Sequence, residues 1–180
     1  NHNVLVNLSS TIKKEENHQI NLLIWPETAF LDIYPTNKIS NIIEKFSFNK
    51  NRTYFMSGMI SIYNKKFYNS AFFMNLTNKN TNLYHKNYLV PFGEFIPFKR
   101  FLPDIPPFSD KVNFNPGKFN EKFSFDYKKT IMPLICYEII FGKYISSQLK
   151  QDTSLIVNIT NDAWFGDTIG PHQHLLFAKI

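Results

Sequence analysis

The sequence predicts a mixed α/β fold. Three apolar runs, LLIW (22–25), MPLIC (132–136) and SLIVNI (154–159), have the length and composition of buried strands. Their apolar residues are continuous rather than alternating, which is typical of strands covered on both faces. Segments with helical spacing lie between these strands, and pairs of strand-like runs separated by turn residues predict hairpins.

Helices are predicted where apolar residues recur every three or four positions. This spacing predicts a first helix over residues 3–14 and a second over residues 39–46. A helix is also predicted over residues 141–150 (FGKYISSQLK). The apolar-periodic segment near the C-terminus, which includes HLLFAKI, is predicted to begin a further helix.

Strands are predicted for much of the first half of the chain. Residues 20–25 form a strand that ends before Pro26, because proline cannot donate to a strand ladder. Two runs at 52–63 and 66–76 are joined by Asn64-Lys65, which predicts a hairpin. A shorter strand follows at 82–86.

The second half begins with an irregular segment. Residues 91–108 (PFGEFIPFKRFLPDIPPF) are rich in proline and phenylalanine and are predicted to be loop or short helix. A second hairpin is predicted over residues 112–127, around Asn115-Pro116-Gly117. Buried strands follow at 131–136 and 154–160, and a loop leads from the last of them to the C-terminal helix.

The composition narrows the class of protein. The 180 residues, 43% hydrophobic and 19% charged, suit one well-cored domain. The single cysteine, Cys136, excludes an internal disulfide and a cysteine-based zinc cluster. The net charge of +6 is scattered, without the basic stripe of a nucleic-acid reader, so we expect no nucleic-acid partner. Diffuse positive charge suits an anionic membrane surface better.

The two ends of the chain suggest a longer parent protein. The sequence does not begin with methionine, and it stops within an apolar-periodic pattern. No signal peptide is recognisable, and no apolar run approaches the roughly 20 residues of a membrane-spanning helix. We therefore expect residues 1–180 to be a piece of a longer protein, whose other parts could include membrane segments.

Three polar residues share one context, the point where a predicted strand gives way to a loop. Glu27 follows LLIWP, Lys86 ends LYHK and Cys136 ends IMPLIC. Ligands of α/β proteins tend to bind at such an edge. If the three converge, the carboxylate can take the thiol proton and the ammonium can stabilise an oxyanion, which suits acyl transfer through a thioester. Each also has an ordinary interpretation: a turn carboxylate, a surface lysine and a small buried hydrophobe.

Four ordered blocks carry a family resemblance: IWPETA (24–29), YHKNYLVPFGEFIPF (84–98), ICYE (135–138) and NDAWFGDTIGPHQH (161–174). Together they resemble the nitrilase-like domain of bacterial apolipoprotein N-acyltransferases. The first three also resemble the wider carbon-nitrogen hydrolase superfamily, which uses a Glu-Lys-Cys triad, whereas PFGE and the fourth block are more particular to the acyltransferases. The resemblance implies a nitrilase-like α-β-β-α sandwich that is incomplete in this chain. Residues 1–180 would then be a single partial domain, with flanking membrane segments outside this chain.

The resemblance also implies roles for individual residues. Glu27 would be the general base, Cys136 the nucleophile and Lys86 the partner of the developing negative charge. Glu94, in PFGE, would be a supporting carboxylate. Tyr137 and Glu138, which directly follow the nucleophile, would be further supporting residues. Because Glu138 lies two positions after Cys136, the two would share one face if the strand continued, and a sharp bend after Cys136 would break that geometry.

Aromatic residues are candidates for substrate binding. Phe92 and Phe95, with the other phenylalanines of residues 91–108, could line an acyl path, touch a bilayer or simply pack in a core. Trp25 and Trp164 are further candidates, although the NDAWFG segment also suits a structural turn. His172 and His174 lack the additional ligands that a metal site needs, so we expect neither a metal nor a cofactor.

The implied reaction moves an acyl chain from a membrane phospholipid to Cys136 as a thioester. The acyl chain then passes to the α-amino group of the N-terminal diacylglyceryl-cysteine of an apolipoprotein, a step of lipoprotein biosynthesis. The family works in the bacterial inner membrane with this domain facing the periplasm. Two alternatives stay open: a soluble amidase or nitrilase of the same superfamily, with water as the acceptor, and a catalytically silent binding domain with an unreactive cysteine.

Overall fold

The computed structural model describes residues 2–11, 20–30, 32–46, 51–98, 113–118, 121–126 and 129–179. Within these residues the chain forms α-helices and strands in a mixed order. The α-helices are α1 (His2–Ser10), α2 (Lys38–Glu44), α3 (Gly142–Gln148) and α4 (Gly170–Phe177). The strands are β1 (Asn21–Ile24), β2 (Ile33–Tyr34), β3 (Thr53–Tyr63), β4 (Lys66–Asn75), β5 (Thr81–His85), β6 (Phe123–Asp126), β7 (Lys129–Ile135) and β8 (Thr153–Ile159). Short 3₁₀ helices cover Cys136–Ile140 and Asp162–Phe165.

The described strands form two sheets. The first has the order β1-β3-β4-β5, with β2 also paired to β3, and the second has the order β6-β7-β8. Strand β1 runs parallel to β3, and β3, β4 and β5 are antiparallel. The β3–β4 turn is the predicted hairpin at Asn64-Lys65, and both residues have the positive φ values (49° and 60°) that suit a tight turn matching the sheet twist.

Alternation of side chains along the strands builds the layers. Phe55 and Phe72 lie in a core shared with the buried face of α2, whereas Met56 and Phe73 lie in a second core shared with β6, β7 and β8. On the outer face of the second sheet, Leu134 packs with residues of α3. The layers therefore run helix, sheet, sheet, helix, which confirms the α-β-β-α arrangement that the resemblance implies.

Burial of the predicted core strands differs between them. The apolar residues of β7 are buried on both faces, as their continuous apolar sequence predicts. The expectation of burial on both faces is wrong for β1 and β8, where Ile24 is 44% exposed and Ile156 is 40% exposed. Both strands end the described order of their sheet, so each has a described strand neighbour on one side only. Apolar composition alone does not reveal that position.

The predicted helices are found with shifted boundaries. Helix α1 begins at His2 and ends at Ser10, so it is shorter than the predicted 3–14, whose last three residues lie outside the described residues. Helix α2 buries Ile39, Ile42 and Ile43 on one face, as their spacing predicts. Helices α3 and α4 lie where helices were predicted after β7 and β8. Among the described helices, none has the length and apolar content needed to span a bilayer.

The hairpin predicted over residues 112–127 is wrong. Strand β6 instead pairs antiparallel with β7. Residues 113–118 instead bond through their amides to earlier parts of the chain: Asn115 N donates to Phe67 O at 2.8 Å and Gly117 N donates to Lys86 O at 2.9 Å. A Cβ on Gly117 would lie 2.1 Å from the carbonyl oxygen of His85, so glycine is what allows this approach. The Asn-Pro-Gly sequence therefore serves a long-range contact rather than a local turn.

Candidate active site

Cys136 stands at a sharp change of backbone direction. It follows the last residue of β7, has a φ of 53° and begins the 3₁₀ helix Cys136–Ile140. A positive φ is uncommon for a residue with a side chain and costs about 1–3 kcal/mol, which the surrounding structure must offset. The bend also means that Glu138 does not share a strand face with Cys136, the alternative that an extended strand would have produced.

Lys86, which follows β5, is buried among carboxylates. Its side chain is only 1% exposed. Its Nζ lies 2.9 Å from Glu94 Oε2, 3.0 Å from Glu94 Oε1 and 4.0 Å from Glu27 Oε1. A buried ammonium needs such partners because desolvation of an unpaired ion is very costly. The structure thus brings together Glu27, Lys86 and Glu94, which the sequence places far apart.

Asn69 joins the two carboxylates and was missed by sequence reasoning. Its Nδ2 donates to Glu27 Oε1 at 2.8 Å and to Glu94 Oε1 at 2.6 Å. The two hydrogens of one amide nitrogen therefore serve two glutamates. Glu27 also accepts a hydrogen bond from the backbone N–H of Asn161 at 3.2 Å. Asn69 lies in the middle of β4, where nothing in the sequence distinguishes it from other polar residues of that strand.

The Cys136 thiol interacts electrostatically with both Glu27 and Lys86. Burial raises the pKa of this thiol, and the charge of Glu27 raises it further. The Lys86 ammonium and hydrogen bonds with the Thr160 side chain and the Tyr137 backbone lower the same pKa, but burial prevails. The nucleophile candidate therefore rests as a thiol near neutral pH, and a neighbouring base is needed to remove its proton.

Glu138 organises the loops around the nucleophile. It is fully buried, and its carboxylate joins the loop that follows Lys86 to the end of β7. Burial raises the pKa of Glu138, while its hydrogen bonds act in the opposite direction. The donors are the hydroxyl of Tyr84 and the backbone N–H groups of Asn87, Tyr88 and Ile135. Tyr137 is exposed, and its ring makes an edge-to-face contact with the ring of Phe141.

The aromatic candidates occupy different environments. Trp25 is buried in the core between the first sheet and α2, where it stacks on Phe30 and donates from Nε1 to Ser9 Oγ at 3.0 Å. Phe92 is exposed, Phe95 is half-buried and Trp164 is 79% exposed. The remaining phenylalanines of the 91–108 segment beyond Phe98, namely Phe101 and Phe108, lie outside the described residues.

A four-layer α-β-β-α fold that carries Glu27, Lys86 and Cys136 just beyond the ends of strands defines a nitrilase-like protein. The chain belongs to the carbon-nitrogen hydrolase family, whose profile matches residues 1–180. The fold is also seen in a solved structure, Nit3 of Saccharomyces cerevisiae, a member of branch 10 of the nitrilase superfamily. That chain is 17% identical with a TM-score of 0.55, and the match covers 87% of this chain and 56% of Nit3.

Curated relatives are similar in sequence over most of this chain. It is 32% identical over 176 residues to the apolipoprotein N-acyltransferase of Vibrio vulnificus, a match that covers 92% of this chain and 34% of the relative. It is 34% identical over 197 residues to the apolipoprotein N-acyltransferase of Wigglesworthia glossinidia brevipalpis, covering 100% of this chain and 38% of the relative. The chain thus spans about a third of the length of these relatives.

Proposed function

We propose that this chain is the catalytic domain of an N-acyltransferase that uses Cys136 to move an acyl chain from a membrane phospholipid to the N-terminus of an apolipoprotein. The acceptor is the α-amino group of a diacylglyceryl-modified cysteine. The observation that carries the proposal is the meeting of the Cys136 thiol with Glu27 and the buried Lys86 at the ends of three strands from two sheets. The names of the curated relatives supply the substrate class.

The first half-reaction forms the thioester. Glu27 takes the thiol proton as Sγ of Cys136 attacks the carbonyl carbon of the phospholipid ester. The negative charge that develops on the carbonyl oxygen is stabilised by the Lys86 ammonium, with the N–H of Tyr137 nearby. When the ester C–O bond breaks, Glu27 returns its proton to the leaving alkoxide, and a lysophospholipid departs.

The second half-reaction releases the thioester. The neutral α-amino group of the acceptor attacks the thioester carbon, and Glu27 takes a proton from the attacking nitrogen. The C–S bond then breaks, the amide forms, and the proton on Glu27 restores the Cys136 thiol. Asn69 and Asn161 hold the Glu27 carboxylate throughout by their hydrogen bonds, and Glu94 neutralises Lys86 so that Glu27 remains available as a base.

The proposed partners place the protein at the bacterial inner membrane, with this domain on the periplasmic side. The exposed rings of Phe92 and Trp164 suit contact with acyl chains or with the bilayer surface. The scattered net charge of +6 suits an anionic lipid surface. In this proposal the membrane anchor is supplied by parts of the protein outside this chain.

Intact-mass spectrometry tests the proposal. The full natural protein that carries this chain is incubated in detergent with a phospholipid, beside its Cys136→Ala variant. We expect a mass increase of one acyl chain that hydroxylamine removes and that the variant lacks. No adduct in the natural protein would overturn the lipid proposal. A short-chain amide that is hydrolysed instead, with Cys136 required, would identify an amidase of the same family.

A further inference from the structure

His174 contacts the backbone of the nucleophile candidate. It lies on α4, its side chain is only 7% exposed, and its Nε2 is 3.0 Å from the carbonyl oxygen of Cys136. The neighbouring His172 on the same helix is exposed. The same Cys136 oxygen accepts a second hydrogen bond from Asn158 Nδ2 at 3.3 Å. The carbonyl that follows the reactive side chain is therefore held from two sides.

The other nitrogen of His174 is held by a carboxylate. Nδ1 lies 2.9 Å from Asp162 Oδ1, and Asp162 also accepts from the Thr160 hydroxyl at 3.0 Å. Both ring nitrogens thus face oxygen atoms, one of a carboxylate and one of a backbone carbonyl. A histidine fixed at one nitrogen by a carboxylate presents its other nitrogen in one orientation only. Asp162 therefore aims Nε2 of His174 at the carbonyl oxygen of Cys136.

The contact falls at a strained point of the chain. Cys136 has the positive φ of 53°, and the direction of its carbonyl determines how the backbone enters the following 3₁₀ helix. With φ set and the carbonyl held by two hydrogen bonds, the backbone of Cys136 has one orientation, and the Cα–Cβ bond that carries Sγ projects from that backbone. Strain of this kind persists only where surrounding contacts over-determine the conformation.

We infer that His174, aimed by Asp162, is a positioning residue that fixes the Cys136 carbonyl and thereby the backbone orientation from which the thiol interacts with Glu27 and Lys86. The inference rests on the proposed role of Cys136 as the nucleophile. It gives a function to the GPHQH part of the fourth sequence block. His174 touches neither substrate nor the reacting sulfur, and it acts through the backbone of Cys136.

A matched pair of substitutions separates the two contacts of the ring. A glutamine side chain places its amide nitrogen as many bonds from Cβ as His Nε2, so His174→Gln keeps the donor to Cys136 and loses the contact with Asp162. An asparagine side chain does the reverse, so His174→Asn keeps the contact with Asp162 and loses the donor to Cys136. Both variants remove the ring, and both are uncharged.

The measurements are made on the full natural protein in detergent. They are the rate of acyl-adduct formation on Cys136 with a phospholipid, the rate of alkylation of Cys136 by iodoacetamide, and the melting temperature. We expect His174→Asn to slow adduct formation roughly tenfold, the effect of one lost hydrogen bond, and His174→Gln to stay within about threefold of the natural protein. The exposed His172→Gln serves as the control and is expected to leave all three measurements unchanged.

The outcomes distinguish the inference from the proposed function. If both His174 variants slow adduct formation equally, or in proportion to a lowered melting temperature, the ring has a packing role and the inference is overturned. The same holds if His174→Asn is the faster of the two. If the natural protein forms no adduct, the proposed function fails instead, and the alkylation rates alone then decide whether His174 positions the thiol.

Discussion

Lys86 Nζ and Glu94 Oε2 lie 2.9 Å apart in an ion pair whose side chains are 1% and 13% exposed. Glu27 is more distant from the ammonium, at 4.0 Å. The two carboxylates near Lys86 therefore differ in how strongly they pair with it. Glu94 neutralises the buried cation, which in the proposed mechanism leaves Glu27 free to exchange a proton with Cys136.

Replacement of Glu94 by glutamine should harm both stability and chemistry. The buried ammonium would lose its nearest counter-charge, and we expect the free energy of unfolding to fall by about 3 kcal/mol. Adduct formation should fall at least about tenfold, because Glu27 would be drawn into the neutralising role. Chemical denaturation and intact-mass kinetics measure the two effects.

The control for that variant is the exposed ion pair of Lys38 and Asp32, whose Nζ–Oδ1 distance is 2.6 Å. Asp32→Asn makes the same chemical change where water screens the charges, so we expect a loss of less than about 1 kcal/mol. Equal losses at Glu94 and Asp32 would contradict the view that burial makes the Lys86–Glu94 pair important.

Glu27→Gln should separate thiol ionisation from acyl transfer. Burial and the Glu27 charge raise the pKa of Cys136, so alkylation of the natural protein should rise at a higher pH than that of free cysteine, whose pKa is about 8.5. Removal of the Glu27 charge lowers that pKa, so the alkylation profile should move to lower pH. Adduct formation should nevertheless fall, because the proposed general base is gone. A profile that moves to higher pH would contradict the assigned cause.

The raised pKa of Cys136 also has a consequence for stability. The folded chain holds the thiol proton more tightly than the unfolded chain does, so the contribution of this group is fully present below the ordinary cysteine pKa. It is lost as pH rises from that value through the raised pKa of the folded state. Cys136→Ala should remove this alkaline part of the pH dependence, which urea titrations of the two proteins can compare.

Asn69→Asp is expected to lower both stability and adduct formation, although the two side chains have almost the same size. The change puts a third carboxylate within hydrogen-bond distance of Glu27 and Glu94, where Asn69 now donates to both. We expect a loss of at least about 2 kcal/mol in the free energy of unfolding, with adduct formation reduced in parallel. Asn82→Asp adds the same charge to the exposed surface of β5 and serves as the control. Similar behaviour of the two variants would argue against the bridging role of Asn69.

Gly58→Ala tests how closely β3 approaches the Glu27 loop. An added Cβ would lie 2.4 Å from the Cα of Glu27, so the loop would have to move. We expect a loss of about 1–3 kcal/mol and slower adduct formation. Gly142→Ala is the matched control, since a Cβ at Gly142 meets nothing within 4 Å at the start of α3. If the stability of both variants is unchanged, β3 and the loop are less tightly packed than the structure indicates.

The sequence indicates the polar residues that follow strands, but not the residue that holds two of the carboxylates in place by hydrogen bonds. Glu27, Lys86 and Cys136 stand out because a polar or reactive side chain follows a predicted strand, and the structure brings them together. Asn69 gives no such signal, because a polar residue within a strand is ordinary. Its partners, Glu27 and Glu94, are 42 and 25 positions away.

Local patterns failed where distant partners decide the conformation. The Asn-Pro-Gly sequence at 115–117 predicts a hairpin, but its amides bond to Phe67 and Lys86. The positive φ of Cys136 is likewise invisible in an apolar run that reads as continuous strand. In both places long-range hydrogen bonds fix the backbone conformation, and the spacing and composition of apolar residues do not reveal such bonds.

The hydrogen bond from Asn161 N to Glu27 joins residues 134 positions apart in the chain. Closing so long a loop carries an entropic cost that must be met before the contact contributes, so this part of the molecule should be among the last to order during folding. A partly folded chain can then hold its first sheet and still have an unprotected thiol with no base beside it. The appearance of acyl-transfer activity should therefore lag behind the recovery of secondary structure in refolding, and the lag would report how late the two ends of the chain meet.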